Sequence, residues 1–343
     1  MDWKEKEEQI KSICATNRKT EQFTQSFIEY SKKLFDNGLP IISSPEHFAQ
    51  LVGMDYKYVL SMAYGTRKFY RHFTILKKNG KKRQIDEPLP DLHYVQTWIL
   101  RNILEKRSVS DYTKSFIKRR GIKDNARFHK NQNILVTMDI KDFFPSISIV
   151  DITSIFKDMG YYENVSCFLA HLCCLKNTLP QGAPTSPYLS NLRMYHLDIN
   201  IAEYTQNRKI RYTRYADDLS FSGTFNPHHL INDISRMVFK EGFIINSQKT
   251  RVARKNTRQE VTGIIVNSKM QAPKESRKKI RQEVYYINKY GLESHLKHIN
   301  ENRTHYINHL LGKINFVLYI NPKDEEMGVY FETIKQLMFD MSE

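Results

Sequence analysis

Ile210-Arg211-Tyr212-Thr213-Arg214-Tyr215-Ala216-Asp217-Asp218-Leu219-Ser220-Phe221-Ser222 is the stretch on which the fold turns. Ile210–Tyr215 and Leu219–Ser222 alternate apolar and polar residues at the period of a half-buried strand. Ala216–Asp218 lies between them, so the spacing predicts a strand–turn–strand with two acids at its tip. Adjacent carboxylates in a tight turn repel unless a cation or a base neutralises them. Taken alone, the pair reads as ordinary polar turn residues.

Upstream, Asn133–Asp139 (NILVTMD) is a short apolar run ending on a third acid, which suits a buried strand. If this strand joins the same sheet, Asp139 comes up to Asp217 and Asp218. Three carboxylates in one site could hold two Mg²⁺ ions, which take oxygen ligands and also bind substrate phosphates. Two such ions stabilise the attacking and the leaving oxygen of an in-line phosphoryl transfer.

The charge of the chain agrees with a phosphate-rich partner. Lys and Arg total 53 against 37 acidic residues in 343, a net charge of +16. An excess of that size usually faces a polyanion. It is absent from residues 1–40, where basic and acidic side chains are equal in number, and concentrated at Arg67–Arg83 and Lys118–Lys130. None of the four cysteines forms a C-x-x-C pair, which argues against a structural zinc site. There is neither a signal peptide nor an apolar run long enough to span a bilayer, so the expected compartment is the cytoplasm.

The remaining elements are read from periodicity and punctuation. Residues 1–66 read as helices, with Ser44-Pro45-Glu46 as an N-cap followed by proline at the first helical position. Asn79–Gly80 between Phe73–Leu76 and Lys81–Ile85 predicts a β-hairpin carrying Lys77, Lys78, Lys81, Lys82 and Arg83. Helices are expected over Leu92–Leu104, Ile152–Met159, Val165–Leu175, Ser186–Tyr204 and Phe225–Glu241. A second hairpin is expected from Gly263–Val266 with Met270–Ala272. From Pro273 onward the pattern is helical, with Tyr285, Tyr286, Phe316, Leu318 and Tyr319 expected in its core. Strands and helices mix without regular alternation, which favours an α+β fold.

Three segments together resemble the reverse transcriptase family. Tyr215-Ala216-Asp217-Asp218 resembles its active-site hairpin, and Asp139-Ile140-Lys141-Asp142-Phe143-Phe144-Pro145-Ser146 its first metal-binding motif. Leu179-Pro180-Gln181-Gly182-Ala183-Pro184-Thr185-Ser186-Pro187 resembles the loop that packs on the nascent base pair, and the three occur in the family's order. The resemblance implies a right-hand polymerase. Residues 1–66 would be an N-terminal helical extension, 67–272 fingers and palm, and 273–343 a helical thumb. It assigns the metal ions to Asp139, Asp217, Asp218 and the carbonyl of Ile140. Lys77 and Arg83 would hold the incoming triphosphate, and Phe144 would lie under its sugar and disfavour a ribose. Gln181 and Gly182 would lie against the template–primer and the incoming nucleotide. Lys249, in Gly242–Thr250, would protonate the departing pyrophosphate.

Two shorter elements resemble the bacterial retron branch of that family: Asn125-Ala126-Arg127-Phe128-His129 and Val261-Thr262-Gly263. The resemblance implies that these residues contact nucleic acid, and the charge of Lys278, Lys279 and Arg281 on one helix of the thumb suits the backbone of the duplex product. The resemblance further implies a cognate structured non-coding RNA, priming from a guanosine 2′-hydroxyl, and a branched RNA-linked single-stranded DNA as product. A cellular ribonuclease H would remove the template, and an effector protein would be restrained in antiphage defence. Two other readings stand beside it: a scaffold for which polymerisation is only maturation, and a group II-like or diversity-generating reverse transcriptase.

Overall fold

The computed structural model describes residues 2–76, 80 and 82–340, and these fall into two compact units. The first comprises Met1–Phe116, Ile140–Ile201 and Ser235–Ile245. The second comprises Ile117–Asp139, Ala202–Ile234 and Asn246–Glu343.

The first unit is mainly helical. Ser44 caps the helix Pro45–Leu51 by accepting from the backbone N–H of His47, with Pro45 at the first turn as the sequence predicts. Phe48, Val59, Leu92, Ile99, Phe156 and Phe168 are buried to 1% exposure or less and form its interior. Each such side chain contributes roughly 1.5–3 kcal/mol by leaving water. One antiparallel hairpin, β1 (Tyr70–Leu76) with β2 (Lys82–Pro88), stands on this base in the predicted place. Its tip, including Lys77, Lys78, Asn79 and Lys81, lies outside the described residues.

The second unit holds a four-stranded antiparallel sheet built from β3 (Ile134–Asp139), β4 (Arg211–Tyr215), β5 (Asp218–Gly223) and β6 (Arg251–Arg254), in the order β4-β5-β3-β6. Side chains alternate across it. Tyr212, Val136, Met138, Leu219 and Phe221 point to one buried face. On the other face, successive rows run Tyr215, Asp218, Asp139 and then Thr213, Ser220, Thr137, Arg251. Below them Leu135 joins a core shared with the C-terminal helices Lys274–Tyr290 and Tyr306–Ile320, through Val284, Leu310 and Ile314.

Three expectations are corrected. The helix expected over Ser186–Tyr204 is two, Ser186–Arg193 and Tyr195–Gln206. The second hairpin centres on Thr262–Gly263, pairing β7 (Glu260–Val261) with β8 (Ile264–Ile265), because both turn residues take positive φ (+47° and +81°) and close a two-residue loop. Only a single bridge, Ile265 to Gln271, survives of the pairing expected there. Tyr285, Phe316 and Tyr319 are 54%, 40% and 50% exposed, because the aliphatic residues of their helices already fill the core.

Candidate active site

Register brings two of the acids together. Asp139 ends β3 directly opposite Asp218 at the start of β5, and Tyr215 faces Asp218 from β4. Facing residues in antiparallel strands have Cα atoms about 4.5–5.5 Å apart. Ala216 and Asp217 form the intervening turn, and Ala216 has φ +56°, a left-handed value uncommon for a residue with a Cβ. The Arg214 side chain is fully buried and its Nη1 donates to the Ala216 carbonyl at 3.1 Å, so the turn is held from beneath.

Lys249 follows from a short 3₁₀ turn, Ser247–Lys249, and its Nζ donates to Asp139 Oδ2 at 2.7 Å. Asp139 is 6% exposed. Burial draws the Lys249 ammonium down, but the bond to Asp139 and the charges of Asp139, Asp217 and Asp218 outweigh it and hold its pKa above the ordinary value. Loss of surrounding water and the charges of Asp217 and Asp139 push the Asp218 carboxyl up to about 7, against the pull of Lys249. The Asp218 residue still opens to solvent on the side of the cavity it lines. Among the described residues no three His, Cys, Asp or Glu side chains meet in metal-ligand geometry. The donor set nevertheless suits a hard divalent cation. Its atoms are carboxylate oxygens, and the repulsion that lifts Asp218 is what a cation relieves.

Asp139 and Asp218 open into a cavity of about 590 Å³ within the second unit. Asp139, Asp218 and Lys249 form one wall, and Thr137, Ser220 and Arg251 continue it down the sheet. Arg258 and the Thr262–Gly263 turn close the other side. Sequence reading missed Thr137, Ser220, Arg251 and Arg258, since no motif carries them. Strand alternation with the register of β6 on β3 is the signal that finds the first three.

A family model described as reverse transcriptase (RNA-dependent DNA polymerase) matches residues 75–266. The Retron Ec86 reverse transcriptase of Escherichia coli is 32% identical over 85% of this chain and 89% of its own length. The chain belongs to the retron reverse transcriptases. Two Myxococcus xanthus proteins support this. The Retron Mx162 reverse transcriptase is 34% identical over 68% of this chain and 55% of its own length. The Retron Mx65 reverse transcriptase is 28% identical over 94% and 79%. A solved telomerase from Candida albicans in complex with a fragment of telomeric RNA aligns over 78% of this chain and 63% of its own, at TM-score 0.44 and 9% identity, so the retron relatives carry the assignment. This retron reverse transcriptase is therefore an RNA-directed DNA polymerase of the right-hand fold, with an RNA template and, as its family implies, a divalent metal cofactor. Among its described residues no helix is long and apolar enough to cross a membrane.

In the first unit of this retron reverse transcriptase, Arg83 is exposed on β2 opposite Ile75. Gln181 accepts from the Asp86 backbone N–H at 2.9 Å, which straps the Leu179–Pro187 loop to the hairpin. Gly182 has φ +137°, and a Cβ there would lie 2.6 Å from the Asp86 carbonyl oxygen. Phe144 is half-buried against Phe143 and Phe116, with ring centroids 5.5 and 6.4 Å away. Ile140 pairs with Ile245.

The retron elements take unequal places. Asn125 and His129 are fully buried, contrary to direct contact with nucleic acid. Thr213 Oγ1 donates to Asn125 Oδ1, so it accepts from His129 Nε2–H at 2.7 Å, and His129 Nδ1 is left to accept from Ser222 at 2.8 Å. Burial and the nearby Arg211 charge hold this neutral imidazole down to about 3. The network clamps the helix Ile122–Arg127 to β4 and β5, behind the acid-bearing turn. Val261 is 1% exposed and belongs to the core, while Thr262 and Gly263 line the cavity. Lys278 and Lys279 are exposed on their helix. Arg281 is held by Glu326 at 2.9 Å.

Proposed function

We propose that this enzyme copies part of a cognate retron non-coding RNA, starting from the 2′-hydroxyl of a guanosine in that RNA. The product is then a single-stranded DNA joined to RNA by a 2′,5′ branch. The observation that supports this most directly is the cross-strand pairing of Asp139 with Asp218, beside Lys249, in a chain of the retron branch.

Asp139, Asp217, Asp218 and the Ile140 carbonyl hold two Mg²⁺ ions in this reading. When bound, the ions supply charge stabilisation to the attacking and leaving oxygens. The primer oxygen forms a bond to the α-phosphorus, the bond from that phosphorus to pyrophosphate breaks, and the hydroxyl proton passes to solvent. Lys249, held protonated by the carboxylates, donates a proton to the departing pyrophosphate. Lys77 and Arg83 bind the triphosphate as charge-assisted donors. Phe144 excludes a ribose 2′-hydroxyl, and Gln181 and Gly182 hold the template–primer and the incoming nucleotide. Lys278 and Lys279 contact the RNA backbone by charge. Residues 67–272 serve as fingers and palm, 273–343 as thumb, and 1–66 as an extension. The enzyme works in the cytoplasm, a cellular ribonuclease H trims the template, and the enzyme with its RNA–DNA restrains an effector protein in antiphage defence.

The test is made on nucleic acid from cells expressing the gene with its native upstream DNA. After ribonuclease treatment, a discrete small DNA whose mobility shifts on debranching is expected, and it is lost in Asp217→Asn/Asp218→Asn. Absence of such DNA in the wild type removes the branched-product reading.

A further inference from the structure

We propose that the cavity beside the acids seats the priming nucleotide, and that Arg251 binds the phosphodiester continuing from that nucleotide's 3′ oxygen. The inference rests on priming from an internal 2′-hydroxyl. A primer that ends in a 3′-hydroxyl carries no phosphate beyond its reacting sugar. An internal nucleotide does: its 3′-phosphodiester sits on C3′, the carbon next to the one that bears the attacking oxygen. The cavity must then take one more anion than a 3′-hydroxyl primer brings, and a phosphate drawn out of water without a partner opposes binding.

Among the described residues lining the cavity, one cation is free for this task. Its volume of about 590 Å³ falls within the roughly 300–1,000 Å³ of small-ligand sites, enough for a nucleotide. Lys249 is occupied by Asp139 at 2.7 Å. Arg258 is occupied by Glu260 at 2.7 Å and Glu275 at 3.1 Å. Arg251 lines the same cavity, is exposed, and forms no ion pair among the described residues. Its position follows from the sheet. It stands on the edge strand β6 opposite Thr137, in the row next to Asp139 and Asp218. A guanidinium there can take a phosphate through two parallel N–H donors, which a lysine cannot reproduce. The facing lip is the Thr262–Gly263 turn. Thr262 holds φ +47° although it is β-branched, a costly backbone for that side chain, and its Oγ1 reaches the Ile122 carbonyl at 3.4 Å. The strained turn thus keeps a small, fixed wall across the cavity from Arg251.

The test compares two reactions of purified Arg251→Ala and wild type. One is incorporation of the first labelled dNTP on the cognate RNA, scored by sensitivity to debranching. The other is extension of a 3′-hydroxyl DNA primer on a plain RNA template. Branch initiation by the variant should fall at least about tenfold further than extension does, the size of one charge-assisted phosphate contact. Arg251→Lys should recover part of the loss. The same RNA nicked after the priming guanosine, and so lacking the 3′-phosphodiester, should narrow the gap between variant and wild type. Equal losses in both reactions, or a gap unchanged by the nick, would overturn the assignment of Arg251. A wild-type enzyme that extends primers but yields no debranching-sensitive product would overturn the 2′-hydroxyl reading itself, and this inference with it.

Discussion

Lys249 Nζ and Asp139 Oδ2 are 2.7 Å apart although 110 residues separate them in the chain. The pair joins the end of β3 to the turn before β6. In the proposed function this gives Lys249 two opposed effects, supplying a proton to the leaving group and competing with a metal cation for Asp139. Lys249→Met should therefore separate them. We expect kcat to fall about 10- to 100-fold, toward the lower range of general-acid contributions. The Mg²⁺ concentration for half-maximal activity should fall as well, because a positive charge has left the carboxylates. A metal titration of the variant checks this; a higher Mg²⁺ requirement would contradict the competition.

Asp218 carries repulsion that, in the proposed function, serves metal binding and not stability. With its carboxyl lifted to about 7 by burial and by Asp217 and Asp139, a neutral isostere should relax the site. Asp218→Asn is expected to abolish polymerisation while raising metal-free stability by about 0.5–2 kcal/mol, as is common when a strained active site is relieved. Urea unfolding in the presence of chelator measures the second effect. A less stable variant would mean that Asp218 is satisfied by local partners and not crowded by charge.

The acid constellation was legible in the sequence because its parts are short-range. A two-residue turn, an apolar run and a loop motif each declare themselves within about ten residues. The hairpin β1–β2 was legible for the same reason. What was hidden depends on pairing between distant segments. Arg251 reads as one more basic residue in Arg251-Val252-Ala253-Arg254 until β6 is registered against β3. Asn125 and His129 read as polar, hence as surface residues, yet Thr213 and Ser222 satisfy them inside the protein. Polarity alone does not separate a buried hydrogen-bonded network from an exposed contact. Tyr285, Phe316 and Tyr319 were misplaced in the opposite direction, since an aromatic side chain is compatible with either side of a helix.

His129 gives the fold a dependence on pH. Its folded value is about 3, whereas an unfolded histidine titrates near 6.5. A group whose folded value is depressed in this way, and whose neutral form is the one bound, leaves stability intact above about 6.5. Below that the unfolded chain takes up a proton that the fold refuses. The loss is about 1.4 kcal/mol per pH unit, or about 2 kcal/mol by pH 5. His129→Gln should be less stable at pH 7, since Ser222 and Thr213 lose a ring partner, but its stability should decline less between pH 7 and pH 5. Denaturant midpoints at the two values decide the matter, and parallel slopes for variant and wild type would falsify the assignment.

Gly182 tests the coupling between the Leu179–Pro187 loop and the β1–β2 hairpin. Two separate constraints exclude a side chain there. The backbone has φ +137°, and a Cβ would lie 2.6 Å from the Asp86 carbonyl oxygen, backbone that cannot swing aside as a flexible side chain would. The Asp86 N–H is also the donor that binds Gln181, so the clash falls on the bond joining loop to hairpin. Gly182→Ala should cost about 1–3 kcal/mol, as overpacking does. The loss should be felt in nucleotide binding before global unfolding, because Arg83 is carried on the same hairpin. We expect KM for dNTPs to rise several-fold, with little change in extension rate at saturating dNTP. A variant with normal KM and lowered thermal stability would show that the strap serves folding alone.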